Sequence, residues 1–171
     1  SLPNADQVKR ALEKCEFVVV SDICLDTDTT QYADVLLPAL GWGEKDGTVT
    51  NSERRISRQR AFLDIPEQAQ ADWWSVSQVA KKLGFQGFDF ESSHDIFKEH
   101  AQLSAYQNAE IALRSSTETF RYFNLAGLKN LSFDDYQELE PTQWPVLVPL
   151  KNGQTKPNIF AQLFKDCLLY T

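Results

Sequence analysis

The chain has 171 residues, enough for one domain with a sizeable core, and its 42% hydrophobic and 24% charged residues are ordinary globular usage, which excludes a disordered segment. A formal charge of −7 leaves no basic footprint for nucleic acid or an anionic membrane. Three scattered cysteines, Cys15, Cys24 and Cys167, exclude a secreted disulfide scaffold and fit a reducing compartment.

In chain order, Val8, Ala11, Leu12 and Cys15 recur at helical spacing and predict a short amphipathic helix from Ala5, its apolar stripe facing a partner element. Phe17-Val18-Val19-Val20 is a β-branched run without alternation, the pattern of a strand covered on both faces in a parallel sheet. Ser21-Asp22 follows at its carboxyl end. Leu25 to Thr30 is rich in helix-capping side chains and leads to a short helix through Gln31 to Ala33. The stretch from Ala33 to Arg55 comes next. Its apolar run Val35 to Leu40 passes through the elbow Gly41-Trp42-Gly43 into Glu44-Lys45-Asp46-Gly47, then turns extended at Thr48-Val49-Thr50. Helix, strand, short helix, strand is the order of a βαβ unit, and a right-handed crossover makes the two strands parallel. Ligands of open α/β sheets bind outside the carboxyl ends of the strands, so the polar residues there are the first candidates for a site.

Thr48 to Arg60 carries Arg54, Arg55, Arg58 and Arg60 and reads as an exposed extended segment, its arginines solvated or paired with Glu53 and Glu44. Asp72 is a candidate N-cap for a helix over Trp73 to Leu83, with the stripe Trp73, Val76, Val79, Ala80 and Leu83 and with Gly84 as the C′ residue. A second helix, His94 to Tyr106, sets Ile96, Phe97, His100 and Leu103 on one side. His94 and His100 are six residues apart, the wrong spacing for two metal ligands on a helix face. Glu110 to Asn124 reads as a further helix interrupted at Arg114 to Thr117. Ser132-Phe133-Asp134-Asp135 resembles a capping box and starts a helix through Glu140, ended by Pro141. Val146-Leu147-Val148 is a short strand, Lys151 to Gln154 a turn, and Phe160 to Tyr170 apolar enough to be covered. No apolar run approaches the length of a bilayer span. The absence of Met suggests an internal piece of a longer protein.

Catalytic motifs are missing: there is no G-x-S-x-G, no phosphate loop, no G-x-G-x-x-G after the first strand and no H-E-x-x-H. What remains is a polar set, Ser21-Asp22 and Lys45 at strand ends with Asp72 at a helix start. A carboxylate can accept two N–H donors from a guanine edge or two ribose hydroxyls, and a lysine offers a point charge to phosphate.

Val18-Val19-Val20-Ser21-Asp22, Tyr32 to Pro38, Glu44 to Arg55 and Ala71-Asp72-Trp73, in that order, resemble molybdopterin oxidoreductases of the DMSO reductase family. Gly127-Leu128, Leu131-Ser132 and Glu140-Pro141-Thr142-Gln143-Trp144-Pro145 resemble its nitrate reductase branch, the cytoplasmic assimilatory catalytic subunit in particular; formate dehydrogenases share the earlier blocks. The order of elements predicts a Rossmann-like α/β segment with a short, mostly parallel sheet over residues 1–84, followed by a helix-rich extension over 85–171, and with no repeat, low-complexity tract or composition shift one compact unit is expected. The resemblance implies a segment of a much larger enzyme. It further implies a parent enzyme reducing nitrate with a bis(molybdopterin guanine dinucleotide) molybdenum cofactor and a 4Fe-4S cluster. Nitrate, an electron-donor protein or reductase subunit and the remaining domains of the parent would be its partners. Ser21, Asp22, Lys45 and Asp72 correspond to the guanosine-contacting positions, with Asp72 expected on the guanine edge and Asp22 on the ribose or base. The cluster motif and the molybdenum ligand have no counterpart here, so no catalytic or metal-binding residue is expected and the isolated chain should not turn over. A noncatalytic α/β interaction domain, its Asp and Lys residues serving as caps and surface charges, is the alternative from another class.

Overall fold

The computed structural model describes residues 3–108, 121–147 and 149. The chain divides into two compact units, Ser1–Lys45 with Arg60–Phe90, and Asp46–Gln59 with Glu91–Thr171.

The N-terminal unit begins with α1 (Ala5–Leu12), capped by Asn4, whose side chain accepts from the Gln7 N–H. None of its residues is fully buried: of the stripe, Val8 and Leu12 are half-buried and Ala11 is exposed. Strand β1 (Val19–Asp22) pairs in parallel with β2 (Val35–Pro38) in the register Val19 with Val35 through Asp22 with Pro38. Asp34 ties the two together at their start, its carboxylate accepting the Val18 N–H at 2.7 Å while the Val18 carbonyl accepts the N–H groups of Asp34 and Val35. The expected coverage of both faces is not met: Phe17 is 65% and Val19 49% exposed. The reason lies in the crossover. Its only regular element is a 3-10 turn over Thr30–Tyr32, too short to lay a helix across the sheet. Beyond β2 the pairing continues for one residue: Ala39 bridges Gln70 in parallel, and Gln70 donates to Pro38 and accepts from Leu40. That bridge delivers the chain to α2 (Asp72–Lys82) at the carboxyl end of β2. Helix α2 ends as its sequence predicts, with Gly84 at φ +85° donating to Lys81 and Phe85 donating to Ala80, the paired bonds of a Schellman cap.

In the C-terminal unit the hairpin β3 (Gly47–Thr50) and β4 (Arg55–Gln59) is antiparallel, and β4 pairs on its other side with β5 (Thr142–Gln143). Asn51 shapes the turn by accepting the N–H groups of Glu53 and Arg55. Because β4 is the central strand, the expectation of an exposed segment fails on one face: Ile56 and Arg58, two residues apart and therefore on the same side, are 1% and 8% exposed. The sequence division at Gly84 separates this hairpin from the residues with which it is built, since β5, Tyr136 and Gln137 all lie in the C-terminal half.

Helix α3 (Ser93–Ala105) opens with Ser92 and Asp95 in a reciprocal capping box. It buries His94, Phe97, Ala101 and Ser104, a face rotated from the predicted Ile96, Phe97, His100 and Leu103; Leu103 is 60% exposed. The rotation is set by Tyr136, whose ring lies 5.2 Å from both His94 and Phe97. Ser104 has a structural duty: its hydroxyl donates to Ala101 and accepts the buried Leu125 N–H at 2.8 Å. Ser104→Ala leaves that N–H unpaired and is expected to cost about 1–3 kcal/mol, measurable by urea unfolding. Helix α4 (Phe133–Gln137) starts at Ser132, which accepts from the Asp135 N–H, and stops three residues before the predicted Glu140. The core joins Ile56, Phe97, Ala101, Leu125, Leu128, Tyr136, Leu139 and Val146. Residues 146 and 147 form no strand; the strand of this segment, β5, starts four residues before Val146. The predicted helix over Glu110 to Asn124 lies outside the described residues up to position 120 and is not helical at 121–124. Val148, the turn at 151–154, the apolar stretch Phe160 to Tyr170 and Cys167 lie outside them too. No helix among the described residues is long and apolar enough to cross a membrane.

Candidate functional site

The site lies in the N-terminal unit, where the elbow after β2 meets the start of α2. Glu44 closes the elbow: its carboxylate accepts the Gly41 N–H at 2.6 Å and its own N–H donates to the Gly41 carbonyl. The Gly43 carbonyl accepts from both Phe62 and Leu63. A side chain on Gly43 would sit 2.6 Å from Leu63 Cδ1 and 2.9 Å from Leu63 Cγ and Phe62 Cζ, so a larger residue there would have to displace these two exposed side chains. With its turn fixed from both sides, the chain leaves in extended conformation at Lys45. Lys45 Nζ then reaches Asp72 Oδ2 at 2.7 Å.

The pairing changes the reading of Asp72. The N-cap of α2 is Ala71, without a side-chain capping bond, and Asp72 is the first helical residue. Its carboxylate still lies at the positive end of the helix, but capping does not account for it. With side chains 35% and 57% exposed, the Lys45–Asp72 pair contributes little to stability, about 0–1 kcal/mol.

Beside this pair is a cavity of about 420 Å³, within the range of small-ligand sites. Ser21 of β1 and Asp72 and Ser75 of α2 are among the residues around it, although its surface is almost wholly apolar. The remaining wall is apolar, from Leu37 of β2, Val76, Val79, Ala80 and Leu83 along α2, and Phe85 and Phe88 beyond it. Positions 72, 75, 76, 79 and 83 fall on one face of the helix. Four of the five residues of the predicted stripe, Val76, Val79, Ala80 and Leu83, thus line the cavity, with Val76 62% and Val79 55% exposed. The inward residues of α2 are Ser77 and Ala80.

Of the four positions singled out in the sequence, Ser21 and Asp72 line the cavity and Lys45 is bonded to Asp72. Asp22 stands apart. Strand alternation turns it from the face that Ser21 presents, and its carboxylate accepts the Cys24 N–H at 3.0 Å. Ser75 and the apolar face of α2 escaped the sequence reading. Their signal was present: Asp72 and Ser75 are the polar residues of an otherwise apolar helical stripe. Arg54, Arg55, Arg58 and Arg60 play no part in the cavity. Arg55 lies 3.8 Å from Glu53, as expected, Arg54 sits over the Trp144 ring, and the buried Arg58 pairs with Asp46 instead of meeting solvent. Glu44 is engaged in the elbow through the Gly41 N–H. Cys15 and Cys24 are exposed and free.

The site thus offers an apolar slot bordered by Ser21, Asp72 and Ser75, with the Lys45 ammonium on the Asp72 carboxylate. Residues 1–82 match the family model for molybdopterin oxidoreductases, and the chain belongs to that family. It is similar to a nitrate reductase of Shewanella frigidimarina, 50% identical over 94% of this chain, and to one of Klebsiella oxytoca, 49% identical over 85%. A formate dehydrogenase alpha subunit of Methanococcus maripaludis is 48% identical over 57%. The chain spans 16%, 16% and 14% of these relatives' lengths, respectively.

Proposed function

We propose that the chain is part of a cytoplasmic, molybdopterin-dependent nitrate reductase and supplies guanosine contacts to a molybdopterin guanine dinucleotide cofactor. The observation that carries this reading is the convergence of Ser21, Lys45 and Asp72 beside one apolar cavity. The bound cofactor supplies the redox and oxygen-transfer chemistry that takes nitrate to nitrite, and the protein supplies binding, orientation and electrostatics. Asp72 accepts the paired N–H donors of the guanine edge, Lys45 faces phosphate, and the Ser21 hydroxyl serves the base or sugar. Asp22, on the other strand face, takes ribose hydroxyls where the nucleoside leaves the cavity. The bis(molybdopterin guanine dinucleotide) form, the 4Fe-4S cluster, the electron donor and the remaining domains belong to the parent enzyme, with cluster and molybdenum ligands outside these residues. Nitrate is favoured over formate because the likeness to nitrate reductases extends over 94% and 85% of the chain, against 57% for the formate enzyme.

Calorimetric titration of guanosine and adenosine 5′-monophosphates tests the reading. Adenine turns a lone pair, not an N–H, toward a carboxylate, so a preference for guanine of at least about tenfold is expected. Equal affinity for the two bases overturns the guanosine assignment. The same protein with a reduced dye and nitrate is expected to show no turnover, and turnover would overturn the placement of the reactive centre outside these residues.

A further inference from the structure

The chain enters or leaves the C-terminal unit at three places, Asp46, Gln59 and Glu91. They are far apart in sequence, yet within that unit one polar cluster gathers them. Asp46, at the first exit, accepts from Arg58 Nη2 at 2.8 Å through Oδ1 and from the Ser93 hydroxyl, close behind the third exit, through Oδ2. At the second exit Arg58 Nη1 donates to the Gln59 carbonyl at 3.1 Å and, across the ladder, to the carbonyl of Gly47, the register partner of Gln59. The Tyr136 hydroxyl completes a ring, accepting from Arg58 at 3.3 Å and donating to Ser93 at 3.4 Å. Each hydroxyl in the ring accepts one bond and donates one.

We infer that Asp46, Arg58, Ser93 and Tyr136 form a clasp that makes the three exits of the C-terminal unit one cooperative element, which opens before the core of that unit does. Arg58 and Tyr136 are buried, so a bond broken there leaves a polar group without water to turn to. Bonds linked in a ring of this kind support one another and are costly to open singly. Tyr136 is the fixed post, because its ring belongs to the hydrophobic core with Phe97, Leu125 and Val146. Asp46 and Ser93 are the movable members, lying nearer the surface. The clasp therefore lets the connecting segments yield as one while the core stays packed, a sub-global opening with its own free energy.

Hydrogen exchange of the whole 171-residue chain, followed by mass spectrometry at rising low concentrations of urea, tests the clasp. The segments around Asp46, Gln59 and Glu91 are expected to share one opening with one urea dependence. That dependence is smaller than for the Leu125 amide, which is bonded to Ser104 inside the core. Ser93→Ala separates a shared clasp from three local anchors, since it removes the bonds to Asp46 and Tyr136 and leaves the capping box of Ser92 and Asp95 in place. Exchange is expected to rise about three- to tenfold at all three exits, Gln59 included, and Ser93→Thr, which keeps the hydroxyl, to bring all three back together. A rise around Asp46 and Glu91 with Gln59 unchanged shows separate anchors and overturns the clasp. No rise at any exit overturns it as well. So does a urea dependence at the exits equal to that of Leu125 in the unsubstituted protein, because the exits then open only when the unit unfolds.

Discussion

Asp72→Ala is expected to lower guanine-nucleotide affinity by about 30- to 100-fold and to abolish the preference over adenine, since hydrogen bonds to a charged group contribute about 1.5–3 kcal/mol each. Glu138→Ala, an exposed carboxylate at the end of α4, is the control and leaves both affinities unchanged. Asp72→Asn is informative too, because an amide has one oxygen to accept with and brings an N–H that opposes the base's own donors; it should lose nearly as much as alanine. The Lys45–Asp72 contact at 2.7 Å means that the two residues do not act independently. Combined with Lys45→Met, Asp72→Ala should cost less than the sum of the single changes. Strict additivity would show that the pair is a surface contact unrelated to binding.

The largest loss of stability is expected at Arg58. Its side chain is fully buried, yet its guanidinium is bonded in several directions. Nη1 donates to the carbonyls of Gly47 and Gln59 and to the Tyr136 hydroxyl, and Nη2 donates to Asp46 at 2.8 Å and Gln137 at 3.0 Å. The guanidinium carbon also lies 4.0 Å from the centre of the Tyr136 ring. Asp46 is 43% exposed and can be rehydrated, but the Gly47 and Gln59 carbonyls and the Tyr136 hydroxyl lose their donor and the side chain leaves a void, so Arg58→Ala is expected to cost about 3–5 kcal/mol. Arg58→Lys is expected to recover only part of this, because a lysine is a point charge and lacks the planar fork. Urea unfolding followed by far-ultraviolet circular dichroism measures both, and a loss below about 1 kcal/mol for Arg58→Ala would contradict this account. Tyr136 provides an independent reading. Burial raises its pKa above the ordinary tyrosine value, against the opposing effects of its hydrogen bond to Ser93 and the Arg58 charge. A raised acid is favoured neutral in the folded state. Its contribution is therefore fully present below the unfolded pKa, near 10, and is lost as pH rises through the folded value. One tyrosine is expected to ionise later than the rest in an ultraviolet titration, and Tyr136→Phe should remove that late step.

What could be read from the sequence was local. The Gly84 cap, the Ser132 cap and the parallel pairing of β1 with β2 follow from residue types and spacing that act within a few positions or one crossover. The burial of Arg58 could not be read in this way. An arginine in a segment with three others looks like a solvated face, and only Tyr136, 78 residues further on, makes a buried site for it. The face of α3 was misjudged for a related reason: Leu103 and His100 satisfy helical periodicity as well as Ala101 and Ser104 do, and the choice is made by the Tyr136 ring and the Leu125 N–H. The apolar run at Phe17 to Val20 promised coverage on both faces that the short 3-10 crossover does not provide. For the site, family resemblance pointed to Ser21, Asp22, Lys45 and Asp72. The Lys45–Asp72 contact was beyond reach because it depends on the Gln70 bridge that sets the start of α2 against the end of β2. Ser75 lay in plain view but was absorbed into a helix read only for its apolar stripe.

The Lys45–Asp72 pair has a kinetic consequence. With ammonium and carboxylate 2.7 Å apart, the pair is close to electrically silent at a distance, and the chain around it carries −7. An approaching phosphate ester feels no long-range pull toward Lys45 and a net repulsion from the rest of the molecule. Added salt shortens the reach of that repulsion, so binding should quicken as ionic strength rises, the reverse of an electrostatically steered anion site. Specific contact, made once the base is within reach of Asp72, must then supply what steering does not, which places the selectivity of loading in the slow step of exchanging Lys45 for the ligand on the same carboxylate.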